Sequence, residues 1–454
     1  MARYDLTPKH VPPVETKWRR IQTPLPAPES LPVLEKLLRF EPQAMACQVP
    51  VLWERAEGCR VFDPYGNVWL DWSSTVLVAN VGHGHPAICS TLKEVISRPL
   101  LATYVFPHRL RAELVERLSA LAPPPLEKVF LLSTGSEAVE NAIKLAFTWG
   151  KPRGKDVLVS FQNAFHGRTL GAQLAGGLPK LKQWIPHSSP DFVQVPFPDG
   201  YKNPDTRFEL FEESLRAQRV EPKRVCAVLS ETYQGVGPDF MPVPYAQALR
   251  AWCDRNEALL ILDEVQAGFG RTGKFFGFEH YGIVPDLVCL GKGITSSLPL
   301  SAVIGRADIM DLYPPGSMTS THSASPLPVA AALATLNALQ EEGLVDHAAA
   351  MESVLREGLK QVQERFPGVL GRLQVKGMVA GIQVVKPGTR EPDASTALAI
   401  QTACFHKGLL MFAPVGVAGE CLKICPPLST PEEALREGIE VFGEAVGEVL
   451  YDRA

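Results

Sequence analysis

The feature of this sequence that most constrains its fold is a series of short apolar segments separated by helical patterns. Each segment has the length and composition of a buried β-strand, and helical patterns such as PYAQALRAWCDRN lie between several of them. The segments are KVFLLS (128–133), DVLVSF (156–161), VCAVLSE (225–231), ALLILDE (258–264) and DLVCLG (286–291). Unbroken apolar strands that alternate with helices are typical of a parallel sheet covered by helices on both faces. We therefore predict an α/β fold with a mostly parallel sheet.

The 454 residues exceed what one hydrophobic core usually holds, so the chain should divide into domains. Nine prolines lie among the first 50 residues, and the run PLPAPESLP (24–32) cannot propagate a helix or a central strand, so it should wrap a surface in an extended form or act as a stiff arm. After residue 328 the pattern changes to long amphipathic segments and then to shorter strands. We expect a proline-rich arm at 1–40, an N-terminal segment of a small domain at 41–85, a large α/β domain at 86–326 and a smaller α+β C-terminal domain at 327–454.

Composition excludes several classes of protein. Apolar residues make up 46% of the chain and charged residues 21%, which excludes wholesale disorder, and the formal net charge of −4 gives no broad footprint for nucleic acid or anionic lipid. The nine cysteines are scattered without a C-x-x-C pair, which argues against a disulfide framework or zinc cage. No run approaches the about 18 apolar residues of a membrane span, and no signal pattern begins the chain. We expect a cytoplasmic protein that binds small molecules or a second copy of itself, without nucleic acid or membrane partners.

The carboxyl ends of the predicted strands are the places where an open α/β sheet collects its chemistry. The first strand is followed by Thr134-Gly135-Ser136-Glu137 and then by a helical pattern, and Thr134 and Glu137 fit a capping box. A strand that passes through a glycine turn into a helix presents free backbone N–H groups, which suit a phosphate. The simpler alternative is a capped helix without a ligand.

A glycine-rich segment follows the acidic pair Asp263-Glu264. Its residues Gly268 to Lys274 match both the dinucleotide fingerprint G-x-G-x-x-G and the start of a P-loop. The context argues against both, because the glycines begin five residues beyond Asp263 and an aromatic stretch follows them. Phe275 also stands where a P-loop needs Ser or Thr. Nucleotide binding is therefore the weaker interpretation of this segment.

A lysine between two glycines, Lys292, follows the strand DLVCL. Desolvation at such a position should lower the pKa of its amine and make it a better nucleophile, although most lysines in turns are solvated surface residues. The lysine is expected on the same sheet edge as the phosphate seat and the strand-end carboxylate of Asp263. Pyridoxal phosphate needs these three groups: a phosphate cradle, an acid for its ring nitrogen and a lysine for the Schiff base.

Six ordered motifs then make the sequence recognisable. The runs FLLSTGSEAVENAIKLA, FQNAFHGRT, SETYQGVGP, LLILDEVQAGFGRTGKFF, DLVCLGKGI and PLSAVIG, with GHGHP earlier and ICPPL later, resemble the class III aminotransferases of the 4-aminobutyrate and ornithine type. These enzymes have PLP fold type I, and the resemblance covers roughly residues 40–450. It implies pyridoxal 5'-phosphate as cofactor, ping-pong transfer of an amino group from an amine to a keto acid, and a homodimer with shared active sites.

The resemblance also implies roles for individual residues. Lys292 would carry the Schiff base and Asp263 would pair with the pyridinium nitrogen, so we expect these two to be catalytic. The other expected cofactor contacts are Gly135 and Ser136 at the phosphate, Phe165 and Val265 on the two faces of the ring, His166 beside Phe165, Gln266 near the phenolic oxygen, Glu231 close to cofactor and substrate, and Thr321 at the phosphate of the neighbouring subunit.

Two departures from the family pattern bear on the substrate. Relatives that use glutamate and 2-oxoglutarate commonly have a glutamate after the Gln-Gly of SETYQGVGP and an arginine just before PPL, where this chain has Val236 and Lys423. Lys423 could still bind a carboxylate as a point charge. Arg168 matches a carboxylate-binding arginine of some relatives, with a surface ion pair as the alternative. Val76 and Leu77 fall where relatives line the pocket with apolar residues, so we expect a partly hydrophobic amine site.

Three interpretations of function remain at this stage. The first is an aminotransferase acting on an ω-amino acid, diamine or amine, with 2-oxoglutarate or pyruvate as acceptor. The second is a different PLP-dependent reaction on the same scaffold, by an amino-acid racemase or epimerase or by a decarboxylating relative. A racemase needs a second acid/base opposite Lys292. The third is a nucleotide-binding or non-catalytic protein using residues 268–274. His83 and His85 could suggest a metal, but no nearby carboxylate or thiol completes a ligand set, so we predict no metal site.

Overall fold

The computed structural model describes residues 4–45, 47–98, 100–187 and 189–451. The chain forms two compact units. The large unit is Pro86–Val345, and the small unit combines Met1–His85 with Asp346–Ala454. The helix Pro326–Glu341 thus belongs to the large unit, whereas the C-terminal domain expected from the sequence begins at residue 327. The reason is packing, because this helix contacts the large-unit helices Pro86–Ser97 and Arg109–Leu121.

The large unit is built on a seven-stranded sheet. Its strands are β1 (Lys128–Leu132), β2 (Val157–Phe161), β3 (Phe192–Val195), β4 (Val225–Glu231), β5 (Leu259–Asp263), β6 (Leu287–Leu290) and β7 (Ser301–Gly305). Their order across the sheet is β1-β7-β6-β5-β4-β2-β3. Only β7 runs antiparallel to its neighbours, which confirms the predicted mostly parallel sheet. A short hairpin, Tyr233–Gln234 with Asp239–Phe240, follows β4.

Helices flank this sheet. They are α1 (Pro86–Ser97), α2 (Arg109–Leu121), α3 (Gly135–Gly150), α4 (Leu170–Ala175), α5 (Glu209–Ala217), α6 (Val243–Arg255), α7 (Ala307–Met310) and α8 (Pro326–Glu341). Val139 and Ile143, four residues apart on α3, are buried against sheet residues that include Leu229 and Ile261. Removing these side chains from water is the main force that holds α3 on the sheet.

The register of the sheet determines which side chains meet at its carboxyl edge. Asp263, the last residue of β5, is paired with Glu231 on β4 and with Cys289 on β6. Lys292 follows β6 by two residues, and Gly135 follows β1 by three. Because β1, β4, β5 and β6 point the same way, their carboxyl ends lie at one edge of the sheet.

The small unit contains two further sheets. One comprises Val14–Glu15, Arg20–Ile21, Arg55–Glu57, Arg60–Phe62, Val68–Asp71 and Leu409–Leu410, and the other comprises Leu370–Lys376, Val379–Val384 and Cys421–Ile424. Its helices are Leu31–Phe40, Ser74–Leu77, Leu344–Arg365, Ala394–His406 and Glu432–Tyr451, of which Leu344–Arg365 begins within the large unit.

The proline-rich arm is integrated into the small unit. Arg20–Ile21 joins the first sheet, and Ile21 and Leu25 are buried in a core with Trp69 and Phe405. Two apolar side chains between the prolines therefore fix the arm as part of the fold. In the described part of the chain, no helix is long and apolar enough to cross a membrane.

Candidate active site

A cavity lies at the carboxyl edge of the large sheet. It is lined by Thr134, Gly135, Ser136, Phe165, His166, Gly167, Glu231, Asp263, Val265, Gln266 and Lys292. The structure thus brings together every cofactor-contact residue expected from the sequence except Thr321, which is exposed and outside this lining. Residues far apart in sequence meet here because the strand ends that carry them share one sheet edge.

The start of α3 forms one wall of the cavity. Thr134 is the N-cap, and its hydroxyl accepts a hydrogen bond from the N–H of Glu137 at 3.2 Å. The Glu137 carboxylate accepts in return from the N–H groups of Ser133 and Thr134, each at 2.9 Å, which confirms the capping box. The N–H groups of Gly135 and Ser136 have no intrahelical acceptor at this position. Together with the helix dipole, they favour an anion such as phosphate.

Two glycines keep this wall close to its neighbours. A Cβ at Gly135 would lie 2.8 Å from Cγ1 of Val265, which is closer than carbon atoms approach without moving. Gly167 has a φ of +134°, and a Cβ there would collide with Oγ of Ser136. Gly167 is not among the site residues expected from the sequence, although the glycine of AFHGRT is an available signal. Thr134 is expected only as a cap, whereas it lines the cavity as well.

Asp263 and His166 form a buried pair. Nδ1 of His166 lies 2.8 Å from Oδ2 of Asp263, and Oδ1 of Asp263 accepts from the N–H of Val265 at 3.0 Å. Both side chains are almost fully buried, and Nε2 of His166 has no hydrogen-bond partner among the described residues. These contacts hold the carboxylate in one orientation at the end of β5, where its negative charge can stabilise a positive group.

Glu231 ties two loops together in front of β4. Its Oε2 accepts from the N–H of Phe165, and its Oε1 accepts from the N–H of Gly235, both at 2.9 Å. Burial raises the pKa of Glu231 to about 7, and the charge of Asp263 adds to this rise, whereas His166 and the two N–H groups oppose it. The loop that carries Phe165 is therefore linked to the hairpin that begins with Tyr233.

Lys292 begins a short 3₁₀ helix, Lys292–Ile294, with a φ of +44°. This left-handed backbone conformation is strained for a residue other than glycine, and such strain is concentrated at functional sites. Desolvation lowers the pKa of the Lys292 amine, although Asp263 and Glu231 act in the opposite direction. A lowered pKa increases the fraction of neutral amine, the form that acts as a nucleophile or proton acceptor.

Glu264 explains the structure of the glycine-rich segment. Its buried carboxylate accepts hydrogen bonds from the hydroxyl of Thr232 and from the N–H groups of Gly277 and Phe278, the latter two at 2.7 and 2.9 Å. The chain from Gly268 to Lys274 forms turns and leads into the 3₁₀ helix Gly277–Tyr281. It therefore lacks the strand-to-helix connection that a nucleotide site requires.

The residues expected to bind substrate fall in both units. In the large unit, Arg168 is exposed, its N–H donates to Oγ of Ser136 at 3.3 Å, and its guanidinium carbon lies 5.7 Å from the ring centroid of Phe165. These contacts place Arg168 beside the cavity. Val236 is buried next to Gly235, whose N–H binds Glu231.

In the small unit, Val76 is 43% exposed whereas Leu77 is 1% exposed. Of these two residues, Val76 is thus the one whose side chain is available to a ligand. Lys423 is buried, with Nζ 6.0 Å from the ring centroid of Phe412.

His83 is hydrogen-bonded to Asp71, with Nε2 of His83 2.7 Å from Oδ2 of Asp71. In the residues that the structure describes, no group of three or more His, Cys, Asp or Glu side chains could hold a metal ion.

Comparisons with known proteins agree on one family. The family described as "Aminotransferase class-III" matches residues 43–446. The chain is 33% identical to a probable 4-aminobutyrate aminotransferase of Bacillus subtilis over 404 residues, which cover 86% of this chain and 91% of that protein. It is 30% identical to a 5-aminovalerate aminotransferase of Pseudomonas putida over 425 residues, which cover 92% and 98% of the two chains.

A solved structure extends this similarity to the fold. The ornithine aminotransferase of Toxoplasma gondii, described with partial occupancy of PLP at its active site, superposes with a TM-score of 0.83 at 25% identity. The match covers 94% of this chain and 96% of that one.

We expect Glu264→Gln to destabilise the fold by about 1–3 kcal/mol, because an amide leaves a buried N–H of Gly277 or Phe278 without an acceptor. Burial raises the pKa of Glu264 from 4.5 to about 7, so the folded state holds this proton more tightly than the unfolded state. The stability gained from that proton is present below the unfolded pKa and is lost as the pH rises to about 7.

Since glutamine does not titrate, the difference in thermal midpoint between wild type and Glu264→Gln should shrink as the pH rises through this range. Thermal unfolding of both proteins at several pH values measures this difference in midpoint. Glu94→Gln, at an exposed glutamate on α1, is the matched control and should change neither the midpoint nor its pH dependence. Equal midpoints for Glu264→Gln and wild type at about pH 5, where the difference should be large, would contradict the role assigned to this carboxylate.

Proposed function

The chain belongs to the class III aminotransferases, and we propose that it transfers the amino group of an ω-amino acid, diamine or amine to 2-oxoglutarate or pyruvate. It is a PLP-dependent transferase. The observation that carries the proposal is the convergence of the α3 N-terminus, Asp263 and Lys292 on one cavity. The relatives named 4-aminobutyrate and 5-aminovalerate aminotransferases support an amino group remote from a carboxylate as the donor. No observation on the described residues favours the racemase alternative.

The residues of the cavity fit pyridoxal phosphate. Gly135 keeps the phosphate seat free of a side chain that would strike Val265, and the first N–H groups of α3 suit the phosphate. Asp263 offers an oriented carboxylate for the ring nitrogen, and the unpartnered Nε2 of His166 is a buried polar atom that a ligand can satisfy. Phe165 and Val265 would contact the ring, with Ser136, Glu231, Gln266 and Lys292 around it.

Bound pyridoxal phosphate supplies an electron sink that stabilises negative charge at the carbon bearing the amino group. Asp263 would keep the ring nitrogen protonated, because a buried carboxylate fixed by His166 and Val265 favours a neighbouring positive charge. Lys292 would hold the cofactor and then move a proton at Nζ, for which its lowered pKa is suited. Glu231 would keep the Phe165 loop in place.

We expect Lys292→Ala to lower the transamination rate by about 10²–10⁴-fold or more, because it removes both the anchor and the base. Borohydride should link the cofactor irreversibly to Lys292 in the wild type, and mass spectrometry of the peptides should find no such link in the variant. Since its pKa lies below the usual value, the rate should fall as the pH falls and the amine becomes protonated.

Lys223→Ala, at a lysine 82% exposed in the same unit, is the control and should keep both activity and cofactor. A Lys292→Ala variant that retains wild-type activity would disprove the proposal. An amine added without keto acid should change the cofactor absorbance once and then stop, as a ping-pong mechanism requires; continuous turnover would favour a racemase instead.

We propose that the site prefers amines in which the part of the molecule other than the reacting amino group is apolar or carries a single charge. Val236 places a buried apolar side chain beside Gly235 in the hairpin that Glu231 holds. By the family resemblance, Val236 and Lys423 stand where glutamate users have a glutamate and an arginine. Neither position carries the residue that glutamate users have, which supports an altered acceptor preference.

The double variant Val236→Glu with Lys423→Arg should raise kcat/KM for 2-oxoglutarate by about tenfold, because it restores both residues of glutamate users and an arginine can bind a carboxylate through two parallel hydrogen bonds. Steady-state kinetics with 2-oxoglutarate and pyruvate measure the change. Each single variant serves as a control and should gain less than the double variant, since it restores only one of the two residues. An unchanged 2-oxoglutarate preference would contradict the proposal.

We propose a homodimer in which each subunit contributes to the other's active site. Exposed apolar side chains are close together in sequence in the large unit, at Ile96, Leu101 and Phe106, which are 58%, 57% and 71% exposed. Large apolar side chains left exposed near one another in sequence support an interface in this segment. Thr321 is also exposed and available to a neighbouring subunit.

We further propose a cytoplasmic location, because the nine cysteines are free thiols.

Subunit complementation tests this arrangement. Thr321→Val should weaken cofactor binding several-fold, and Lys292→Ala should be inactive. A mixed dimer has one site with both Lys292 and Thr321 intact if Thr321 acts across the interface. At limiting cofactor, mixing the two variants after dissociation should therefore raise activity above the sum of the parents. Absence of a gain, with mixed dimers verified by mass, would place Thr321 outside the neighbour's site.

A further inference from the structure

A cavity of about 420 Å³ lies within the small unit, between the proline-rich arm and the strands that follow it. Its lining comprises residues 16–20 of the arm, Arg55, residues 60–64 other than Val61, and Gly66 to Val68. The volume lies in the range of roughly 300–1,000 Å³ that small-molecule sites occupy. The proposed aminotransferase reaction assigns no role to this cavity.

The walls of the cavity are strongly basic. The basic residues in the lining are Lys17, Arg19, Arg20, Arg55 and Arg60, whereas Asp63 is the one acidic residue in it. The Asp63 carboxylate is already used within the fold, since it accepts hydrogen bonds from the N–H groups of Tyr65 and Asn67 and from the Asn67 amide. The side chains that face the cavity therefore favour an anion.

Three of the guanidinium groups keep most of their donors available. The guanidinium groups of Arg20 and Arg60 donate no hydrogen bond within the described chain, and their nearest carboxylate oxygens, on Glu15 and Glu57, are 3.8 and 3.7 Å away. Arg55 makes a single long hydrogen bond, 3.4 Å, to the same Glu57. Each guanidinium carries five N–H donors, and loose ion pairs with exposed carboxylates stabilise little.

The other two basic side chains form ion pairs within the chain. Nζ of Lys17 lies 2.6 Å from Glu433, and Nε of Arg19 lies 2.6 Å from Glu437. Both acids belong to the helix Glu432–Tyr451. Lys17 and Arg19 therefore anchor the arm, and Arg20, Arg55 and Arg60 remain for a ligand.

Aromatic rings hold the available guanidinium groups in place. The guanidinium carbon of Arg55 lies 3.5 Å from the ring centroid of Phe62, and that of Arg60 lies 5.4 Å from Phe62 and 5.9 Å from Trp18. Such cation–π contacts restrict the arginine side chains before a ligand binds, so that less conformational entropy is lost on binding. The indole Nε1 of Trp18 is buried and has no hydrogen-bond partner among the described residues, which is rare for a buried donor and suits an acceptor from a ligand.

We propose that this cavity binds a small molecule through a phosphate or pyrophosphate group. Phosphate oxygens match the fork of a guanidinium, and a group with two or more negative charges needs several arginines at once. Arg20, Arg55 and Arg60 would bind the oxygens, and Trp18 would donate a further hydrogen bond.

The proposal also gives the arm a function. The N–H groups of Gln22 and Thr23 donate to Oδ1 of Asn67, at 2.9 and 3.3 Å, and so join the arm to the turn that borders the cavity. Gly66, with a φ of +88°, permits this approach, because a Cβ there would collide with the Gln22 amide. A bound anion between the arm and the strands Arg55–Glu57 and Arg60–Phe62 should therefore stabilise the arm.

Isothermal titration of the cofactor-saturated enzyme with inorganic pyrophosphate tests the proposal, since bound cofactor occupies the other phosphate seat. We expect one saturable site per chain that weakens with added salt. Arg20→Gln and Arg60→Gln should each weaken binding by about tenfold, and Trp18→Phe by several-fold, because each removes donors to the anion. Arg98→Gln, at an arginine 79% exposed in the large unit, is the matched control and should bind as the wild type does.

Arg60→Lys keeps the charge without the fork and should give intermediate binding, which separates loss of a ligand contact from loss of folding. Unchanged transamination activity and an unchanged thermal midpoint without pyrophosphate verify that a variant is folded. Absence of binding, or binding that the arginine and tryptophan variants leave unchanged, would overturn the proposal. Equally tight binding of citrate would overturn its assignment to phosphate.

Discussion

The parallel pairing of β4, β5 and β6 is the constraint on which the candidate active site depends. In-register pairing sets Glu231 beside Asp263, and the chain that leaves β6 brings Lys292 to the same edge. Backbone hydrogen bonds along three buried strands fix the strand ends from which these side chains and the adjoining segments extend. The antiparallel β7 lies between β6 and β1 and so keeps the end of β1, with the α3 N-terminus, on that edge.

Concentrating carboxylates at one buried edge costs free energy, and the fold offsets this cost with specific donors. Asp263 is satisfied by His166 and by a backbone N–H, whereas Glu231 and Glu264 each accept two backbone N–H groups. Burial still raises the pKa values of Glu231 and Glu264 to about 7. Desolvation also lowers the pKa of Lys292. The same burial that disfavours the ionised carboxylates therefore increases the fraction of neutral, reactive amine.

The hydrogen bonds of these carboxylates also explain how loops far apart in sequence are held. Glu231 connects the loop before α4 to the hairpin after β4, and Glu264 connects the end of β5 to the 3₁₀ helix at Gly277. In each case, hydrogen bonds from the loop backbone to a carboxylate at a strand end restrict the conformations of the loop. In the small unit, Asn67 acts similarly on the arm, because its side chain binds both Thr23 and Asp63.

The sequence by itself determined the strands, the α3 capping box and the identity of the family, because these depend on patterns within a few residues or on ordered motifs. It also named the residues that line the cofactor cavity, apart from Gly167 and the lining role of Thr134. It did not determine that β7 separates β1 from β6, that α8 packs in the large unit, or that Leu77 is buried. Nor did it show the pairing of His166 with Asp263, the hydrogen bonds of Glu264, or the basic cavity under the arm. These features join segments tens to hundreds of residues apart, and only the packing of strands and helices decides which of the many side chains able to pair actually meet.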